Sequence, residues 1–269
     1  METRPEGPGL EEKKRVLRRI VGGMGPALVA FSGGVDSALL LRVAAEELPG
    51  KVRSVTLSSP LHPAWEVRDA ADTAKALGVP HAVVESRHWE DPVFLSNKPG
   101  RCYRCKQLIM SQLLELAREE GLAHVMEGSH AGDRWEDRPG MRALAELGIR
   151  SPLREAGLDK AEIRAWAREM GMAQWDRPAM ACLATRIPAG ERITLRKLER
   201  VRVAEERLME MGFRQFRARY RGDAVVIEVG QEEVGTLLAE GLRRRLMEEM
   251  GSVGFRHVWL DLRGYVEKG

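Results

Sequence analysis

The apolar run Pro26 to Phe31 leads directly into Ser32-Gly33-Gly34-Val35-Asp36-Ser37, and that into a second apolar stretch, Ala38 to Leu48. The first run has the length and composition of a buried parallel strand, and the last reads as a helix. The paired glycines between them allow a turn tight enough to join the two and to bring backbone close to a ligand. A strand, a glycine turn and a helix in immediate succession leave few architectures open.

Similar short runs recur at Val52 to Ser58, His81 to Glu85 and His124 to Gly128. Helical stretches near Ser37 to Leu48, Trp65 to Leu77 and Lys106 to Glu120 separate them, with further helical patterns over residues 10–24 and Lys160 to Met170. The alternation predicts an α/β fold with a parallel, doubly wound, Rossmann-like sheet. Pro178, Pro188 and Gly190 then punctuate a loop. After it the pattern predicts a helix over Leu195 to Met211, strands over Phe213 to Tyr220 and Ala224 to Val229 joined by Arg221-Gly222-Asp223, a helix over Glu232 to Met250 and a strand over Gly254 to Leu262. That is a smaller α+β domain, so the expected division of the 269 residues is 1–189 and 190–269. The first nine residues, rich in Pro, Gly and charge, are expected to be disordered.

Composition narrows the function classes. No apolar run approaches the ~18 residues of a membrane span. Glu11, Glu12, Lys13, Lys14, Arg15, Arg18 and Arg19 leave no uncharged core for a signal peptide, so a cytoplasmic protein is expected. A net charge of +3, from 43 basic and 40 acidic side chains, marks no nucleic-acid surface. The three successive arginines Arg243 to Arg245 face several helix directions and read as a solvated patch.

The glycine turn has its own chemistry. Unpaired amides at a helix N-terminus favour an anion through hydrogen bonds and the helix dipole, and Ser32 and Ser37 add hydroxyls. The lysine of a Walker loop is absent, so γ-phosphate transfer is not indicated. The loop resembles the pyrophosphatase loop of the ATP-dependent adenylating enzymes, the family of NAD synthetase, GMP synthetase and the tRNA thiolases. The resemblance implies that Ser32, Gly33, Gly34, Asp36, Ser37, Ser58 and Gly128 bind ATP, with Asp36 on magnesium, a cation suited to hard oxygen ligands. A substrate carboxylate or carbonyl would then be activated as an adenylate.

Of three cysteines, Cys102 and Cys105 form a Cys-x-x-Cys pair before a predicted helix and Cys182 stands in a loop-like segment. In a reducing compartment such a pair points to metal or redox chemistry. Structural zinc is poorly served, because there is no fourth cysteine and the six histidines show no paired spacing. Three thiolates can hold a 4Fe-4S cluster and leave one iron without a protein ligand.

Ordered segments along nearly the whole chain resemble the LarE family of ATP-dependent sulfur transferases. They are Arg101 to Lys106, Gly128-Ser129 with Asp133, Asp137 to Gly140, Arg150 to Leu153, Leu158 to Arg164, Ala181 to Arg186 and Leu260 to Tyr265, besides the loop at Ser32 to Ser37. The resemblance implies adenylation of the carboxylates of pyridinium-3,5-biscarboxylic acid mononucleotide and their conversion to thiocarboxylates for a nickel-pincer cofactor. Sulfur comes in that family either from a sacrificed cysteine at the position of Cys182 or from an extra sulfide on a three-cysteine 4Fe-4S cluster. Cys102, Cys105 and Cys182 together place this chain with the cluster type, and a homohexamer is expected by the same resemblance.

Arg217 and Arg219 alternate on one face of a predicted strand, and the resemblance gives them the phosphate of the mononucleotide; the alternative is a solvated basic face. Asp133 is a further implied substrate contact. Glu205 and Glu228 are either ligands or ion-pair carboxylates. Two other functions share features with this chain: a cluster-bearing tRNA thiolase, which would bind RNA with strong salt dependence, and a non-catalytic ATP or iron-sulfur sensor.

Overall fold

A computed structural model describes residues 8–133, 139–178 and 181–265. The first seven of the nine terminal residues, Asp137 and Arg138 of the Asp137 to Gly140 segment, and the stretch just before Ala181 lie outside that set. In chain order the elements are α1 (Leu10–Gly22), β1 (Ala27–Ala30), α2 (Val35–Glu47), β2 (Val52–Ser58), α3 (Ala64–Ala76), β3 (His81–Glu85), α4 (Pro92–Leu95), α5 (Arg101–Glu119), β4 (His124–Met126), α6 (Gly140–Glu146), α7 (Pro152–Glu155) and α8 (Lys160–Glu169). There follow α9 (Leu195–Glu210), β5 (Phe216–Arg221), β6 (Ala224–Val229), α10 (Val234–Leu237), α11 (Glu240–Ser252) and β7 (His257–Leu260). Two compact units result, one of Met1–Ser59, Ala64–His88 and Cys102–Ala179, the other of Pro60–Pro63, Trp89–Arg101 and Met180–Gly269.

The first unit is the expected parallel α/β sheet, with strand order β3-β2-β1-β4. Ala27 of β1 pairs with Val52 on one side and His124 on the other. Because side chains alternate along a strand, Ala27 and Val29 enter a core with Leu17, Leu40, Val43, Ala70, Ile163 and Trp166, while Leu28 packs with Leu113, Val125 and Leu144 on the opposite face. Helices thus cover both faces, which is why β1 reads as a continuous apolar run. Burying Leu28 completely contributes about 1.5–3 kcal/mol. A capping box, Asp159 with Glu162, starts α8.

The second unit is a three-stranded sheet in the order β5-β6-β7, with β5 and β6 antiparallel and β6 and β7 parallel. Arg221 pairs with Ala224 across a two-residue turn whose first residue, Gly222, has φ 67. Helix α9 is capped by Thr194, whose side chain accepts from the Lys197 amide, and buries Leu198, Val201, Ala204 and Leu208.

Three element expectations need correction. The helix expected to begin at Lys106 begins at Arg101, so Cys102 and Cys105 are helical rather than in a preceding loop. The turn at Pro99 and Gly100, with φ 94 at the glycine, is the start signal, and the next six residues all tolerate a helix. The single helix expected over Glu232 to Met250 is broken, because Ala239 is extended at ψ 136 between α10 and α11. Strand β7 occupies only four residues of the Gly254 to Leu262 run. Among the described residues no helix is long and apolar enough to cross a membrane.

Candidate active site

The glycine turn joins the C-terminal end of β1 to α2. Helix α2 begins at Val35, not Ser37, and its N-cap is Gly34, a residue with no side chain to bond the first amides. Ser37 therefore lies in the first helical turn, where its Oγ donates to the Gly34 carbonyl at 3.1 Å and sits 3.1 Å from Ser32 Oγ. The Ser32 amide donates to Ser37 Oγ at 3.3 Å, closing the turn on itself. Gly33 has φ 77, and a Cβ there would lie 3.2 Å from that of Ala70. The result is a compact cradle of amides and hydroxyls at a helix N-terminus, suited to an anion.

Beside it, Gly128 follows β4 so closely that a Cβ on it would lie 2.9 Å from the Ser37 amide nitrogen. Strands β1 and β4 are neighbours at the point where the strand order reverses, the place where open α/β sheets take ligands. Ser58 ends β2, and its carbonyl accepts from the Ser86 amide. Asp36 and Lys160 meet above the loop, with Lys160 Nζ 2.6 and 2.8 Å from the two carboxylate oxygens. Lys160 is the first residue of α8, so the capping box of that helix fixes where its side chain starts.

Glu127, one residue before Gly128, is 4% exposed. It accepts from the Ser129 amide and hydroxyl, each at 2.9 Å, and from Ser151 Oγ at 2.6 Å, with Lys106 Nζ at 3.5 Å. Burial pushes its carboxyl up, but Lys106, Ser151 and Ser129 together outweigh this and hold it below the ordinary carboxylate value. Asp133, also buried, accepts from the His130 amide at 3.0 Å.

Cys102 and Cys105 are three residues apart on α5 and so share a face, the first exposed and the second half-buried. Cys182, half-buried in the second unit, immediately precedes a short 3₁₀ turn, Leu183–Arg186, and its carbonyl accepts from Thr185 Oγ1 at 2.8 Å. Among the described residues no group of three or more His, Cys, Asp or Glu side chains is already gathered around a metal position.

The second unit concentrates charge behind this turn. Arg186 and Glu205 form an ion pair at 2.6 Å with side chains 1% and 3% exposed, and Glu205 also accepts from the Ala218 amide at 3.0 Å. Arg219 pairs with Glu228 and reaches the Thr185 carbonyl at 3.3 Å. Arg217, on the same face of β5, is not on a solvated strand face but buried, with Tyr265 stacked 4.6 Å from its guanidinium carbon. Burial, reinforced by Arg186, pushes the Arg217 guanidinium below its ordinary value. Glu205 and Glu228 are thus ion-pair carboxylates in this structure.

Four contributors carried no separate signal in the sequence: Lys160, the Lys106–Glu127 pair, Arg186 and Tyr265. All but Glu127, which immediately precedes Gly128, sit inside a segment that the family resemblance singles out, but only the fold supplies their partners.

A parallel α/β sheet whose first strand–helix turn is an uncapped glycine–serine cradle without a Walker lysine resembles the nucleotide site of the ATP-dependent adenylating enzymes. The asparagine synthase family model matches residues 14–93, which contain that turn. The chain is 36% identical over 256 residues to an uncharacterized protein of Synechocystis sp., covering 95% of this chain and 96% of that one. It is 33% identical over 257 residues to the pyridinium-3,5-bisthiocarboxylic acid mononucleotide synthase of Lactiplantibacillus plantarum, covering 95% and 92%. A tRNA-specific 2-thiouridylase of Caulobacter sp. is 28% identical over 216 residues, covering 65% of this chain and 51% of that one. The chain belongs to the family of the pyridinium-3,5-bisthiocarboxylic acid mononucleotide synthases, the LarE family, and is an ATP-dependent sulfur transferase.

Proposed function

We propose that this chain adenylates the carboxylates of pyridinium-3,5-biscarboxylic acid mononucleotide and converts them to thiocarboxylates, the sulfur-insertion step of nickel-pincer cofactor biosynthesis. The observation that carries this reading is the match to the L. plantarum synthase along 95% of the chain. ATP's pyrophosphate lies on Ser32, Gly33, Gly34 and Ser37, with Ser58 and Gly128 lining the rest of the nucleotide site. Asp36 takes the magnesium that accompanies the phosphates; its carboxylate is partly exposed and offers the hard oxygens that ion prefers. A substrate carboxylate oxygen attacks the α-phosphorus and expels pyrophosphate, giving an acyl adenylate. A sulfur nucleophile then adds at the acyl carbon and AMP leaves.

In this reading residues 1–189 form the ATP domain and residues 190–269 the substrate domain. Arg217 and Arg219 take the mononucleotide phosphate, as arginine forks suit phosphate oxygens, and Asp133 is a further substrate contact. Cys102, Cys105 and Cys182 hold a 4Fe-4S cluster. What supports the cluster is the donor set: three thiolates, two of them one helical turn apart on an accessible stretch of α5, with no fourth cysteine. When bound, it would supply the sulfide that becomes the thiocarboxylate sulfur. The same reading carries a cytoplasmic setting and a homohexamer.

The test is anaerobic purification with iron, acid-labile sulfide and visible spectra on the wild type and on Cys102→Ala, Cys105→Ala and Cys182→Ala. The expected result is a cluster signal in the wild type that each substitution removes. An iron-free wild type after reconstitution overturns the cluster and leaves Cys182 as a sacrificed donor, read by mass as its conversion to dehydroalanine after turnover. Pyrophosphate release should depend on the pyridinium mononucleotide. Release driven instead by tRNA would support a thiouridylase, and ATP binding without release a sensor.

A further inference from the structure

The last described residues of the chain form a bracket over Arg217. Gly264 has φ 67, and a Cβ there would lie 2.8 Å from the Gln231 Cα and 3.0 Å from the Val229 carbonyl oxygen. Only a glycine lets the backbone pass so close to the end of β6. The Gly264 amide donates to the Asp261 carbonyl at 3.0 Å and the Tyr265 amide to the Val229 carbonyl at 2.6 Å, so Tyr265 is held by main chain on both sides of the bracket. Its ring stacks 4.6 Å from the Arg217 guanidinium carbon, and its hydroxyl oxygen accepts from Arg217 Nη2 at 3.3 Å.

The burial order matters. Arg186 and Glu205 are 1% and 2% exposed, Arg217 is 2% exposed, and Tyr265 is half-buried. Tyr265 is therefore the most exposed member of this group, and its ring and hydroxyl both lie against the Arg217 guanidinium. A phenol oxygen that accepts from a guanidinium still has its own hydrogen to donate. The bracket thus presents a cation and a hydroxyl donor side by side, the pairing that a phosphate oxygen takes.

We propose that Tyr265 is a phosphate-binding residue of the second unit, stacking on Arg217 to orient it and donating its hydroxyl to the same phosphate. This rests on the reading in which Arg217 and Arg219 take the mononucleotide phosphate. It adds to that reading the C-terminal segment, which selects for a phosphorylated substrate.

The test compares pyridinium-3,5-biscarboxylic acid mononucleotide with the corresponding phosphate-free nucleoside by titration calorimetry, on the wild type, Tyr265→Phe and Arg217→Ala. Tyr265→Phe keeps the stacked ring and removes only the hydroxyl. The expected result is about tenfold weaker mononucleotide binding in Tyr265→Phe, the scale of one hydrogen bond to a charged group, with nucleoside binding unchanged. Wild-type affinity for the mononucleotide in Tyr265→Phe overturns the proposal, and so does an equal loss for both ligands, which would mark a structural role. If the wild type itself fails to prefer the mononucleotide, the phosphate reading of Arg217 and Arg219 falls, and this proposal with it. If Arg217→Ala loses the preference while Tyr265→Phe keeps it, only the proposal falls.

Discussion

Lys160 Nζ lies 2.6 and 2.8 Å from the two oxygens of the Asp36 carboxylate, a bidentate contact between the first turn of α8 and the first turn of α2. Both side chains are partly exposed, so the pair itself contributes only about 0–1 kcal/mol to stability. Its position beside the anion cradle gives it a larger role with ligand bound. In the proposed reading, in which Asp36 takes the magnesium of the ATP complex, the Lys160 ammonium is released to face the phosphates. Lys160→Ala is expected to lower kcat/KM for ATP by about ten- to a hundredfold, the scale of a charge-assisted hydrogen bond of ~1.5–3 kcal/mol. The thermal midpoint should hardly move. Steady-state pyrophosphate release at varied ATP checks this, and unchanged ATP kinetics would remove Lys160 from the site.

Gly128 is constrained by distance rather than by dihedral angle. A methyl group there would meet the Ser37 amide nitrogen at 2.9 Å and its Cα at 3.2 Å, both backbone atoms that move only with the loop. Gly128→Ala must push the cradle out of shape or strain β4, at about 1–3 kcal/mol. Calorimetry should show ATP affinity reduced at least tenfold while the magnesium-free fold persists by circular dichroism. Wild-type ATP affinity would mean that the cradle tolerates displacement and is not the phosphate site.

The first strand and its loop were legible in the sequence because their signals are local: an apolar run, two glycines and an apolar helix need no distant partner to be recognised. The pair Arg217 and Arg219 was equally legible through strand alternation. Burial of Arg217 was not, because it depends on Tyr265, 48 residues later along the chain. Lys160 likewise faces Asp36 across 124 residues, a contact made by the sheet and not by spacing. The start of α5 was missed for the opposite reason. Its first turn has no Ser, Thr, Asp or Asn cap, so the Pro99-Gly100 turn was the sole boundary mark, and Cys102 and Cys105 read as loop.

The buried Glu127 carboxylate gives a pH prediction of definite sign. Its carboxyl is held below the ordinary glutamate value of about 4.3, so the folded state favours the ionised form. The resulting stabilisation is complete above that ordinary value and is lost as pH falls through the lower folded value. Glu127→Gln lacks this dependence. Urea midpoints should show the wild type most ahead of Glu127→Gln near neutrality, with the gap closing below about pH 4. A gap that widens on acidification would show that the carboxyl is protonated in the native protein.

Glu205 supports the arginine cluster through three bonds at once, two from Arg186 at 2.6 and 3.2 Å and one from the Ala218 amide at 3.0 Å. Removing it strands a guanidinium whose side chain is 1% exposed and unpairs an amide in β5, the strand that carries Arg217 and Arg219. Breaking a buried pair from one side costs about 3–5 kcal/mol, because the surviving charge stays buried without its counter-charge. At about 2–4 °C per kcal/mol for a chain of this size, Glu205→Ala should melt roughly 6–20 °C below the wild type. Removing both charges is a different perturbation. Arg186→Met with Glu205→Leu leaves apolar groups of similar volume and the same local net charge, so most of the lost stability should return and the pull on a phosphate at Arg217 and Arg219 should persist. Scanning calorimetry of the two single variants and the double variant separates these terms. A double variant no more stable than Glu205→Ala would show that the Ala218 amide bond, and not the buried charge, is what Glu205 provides.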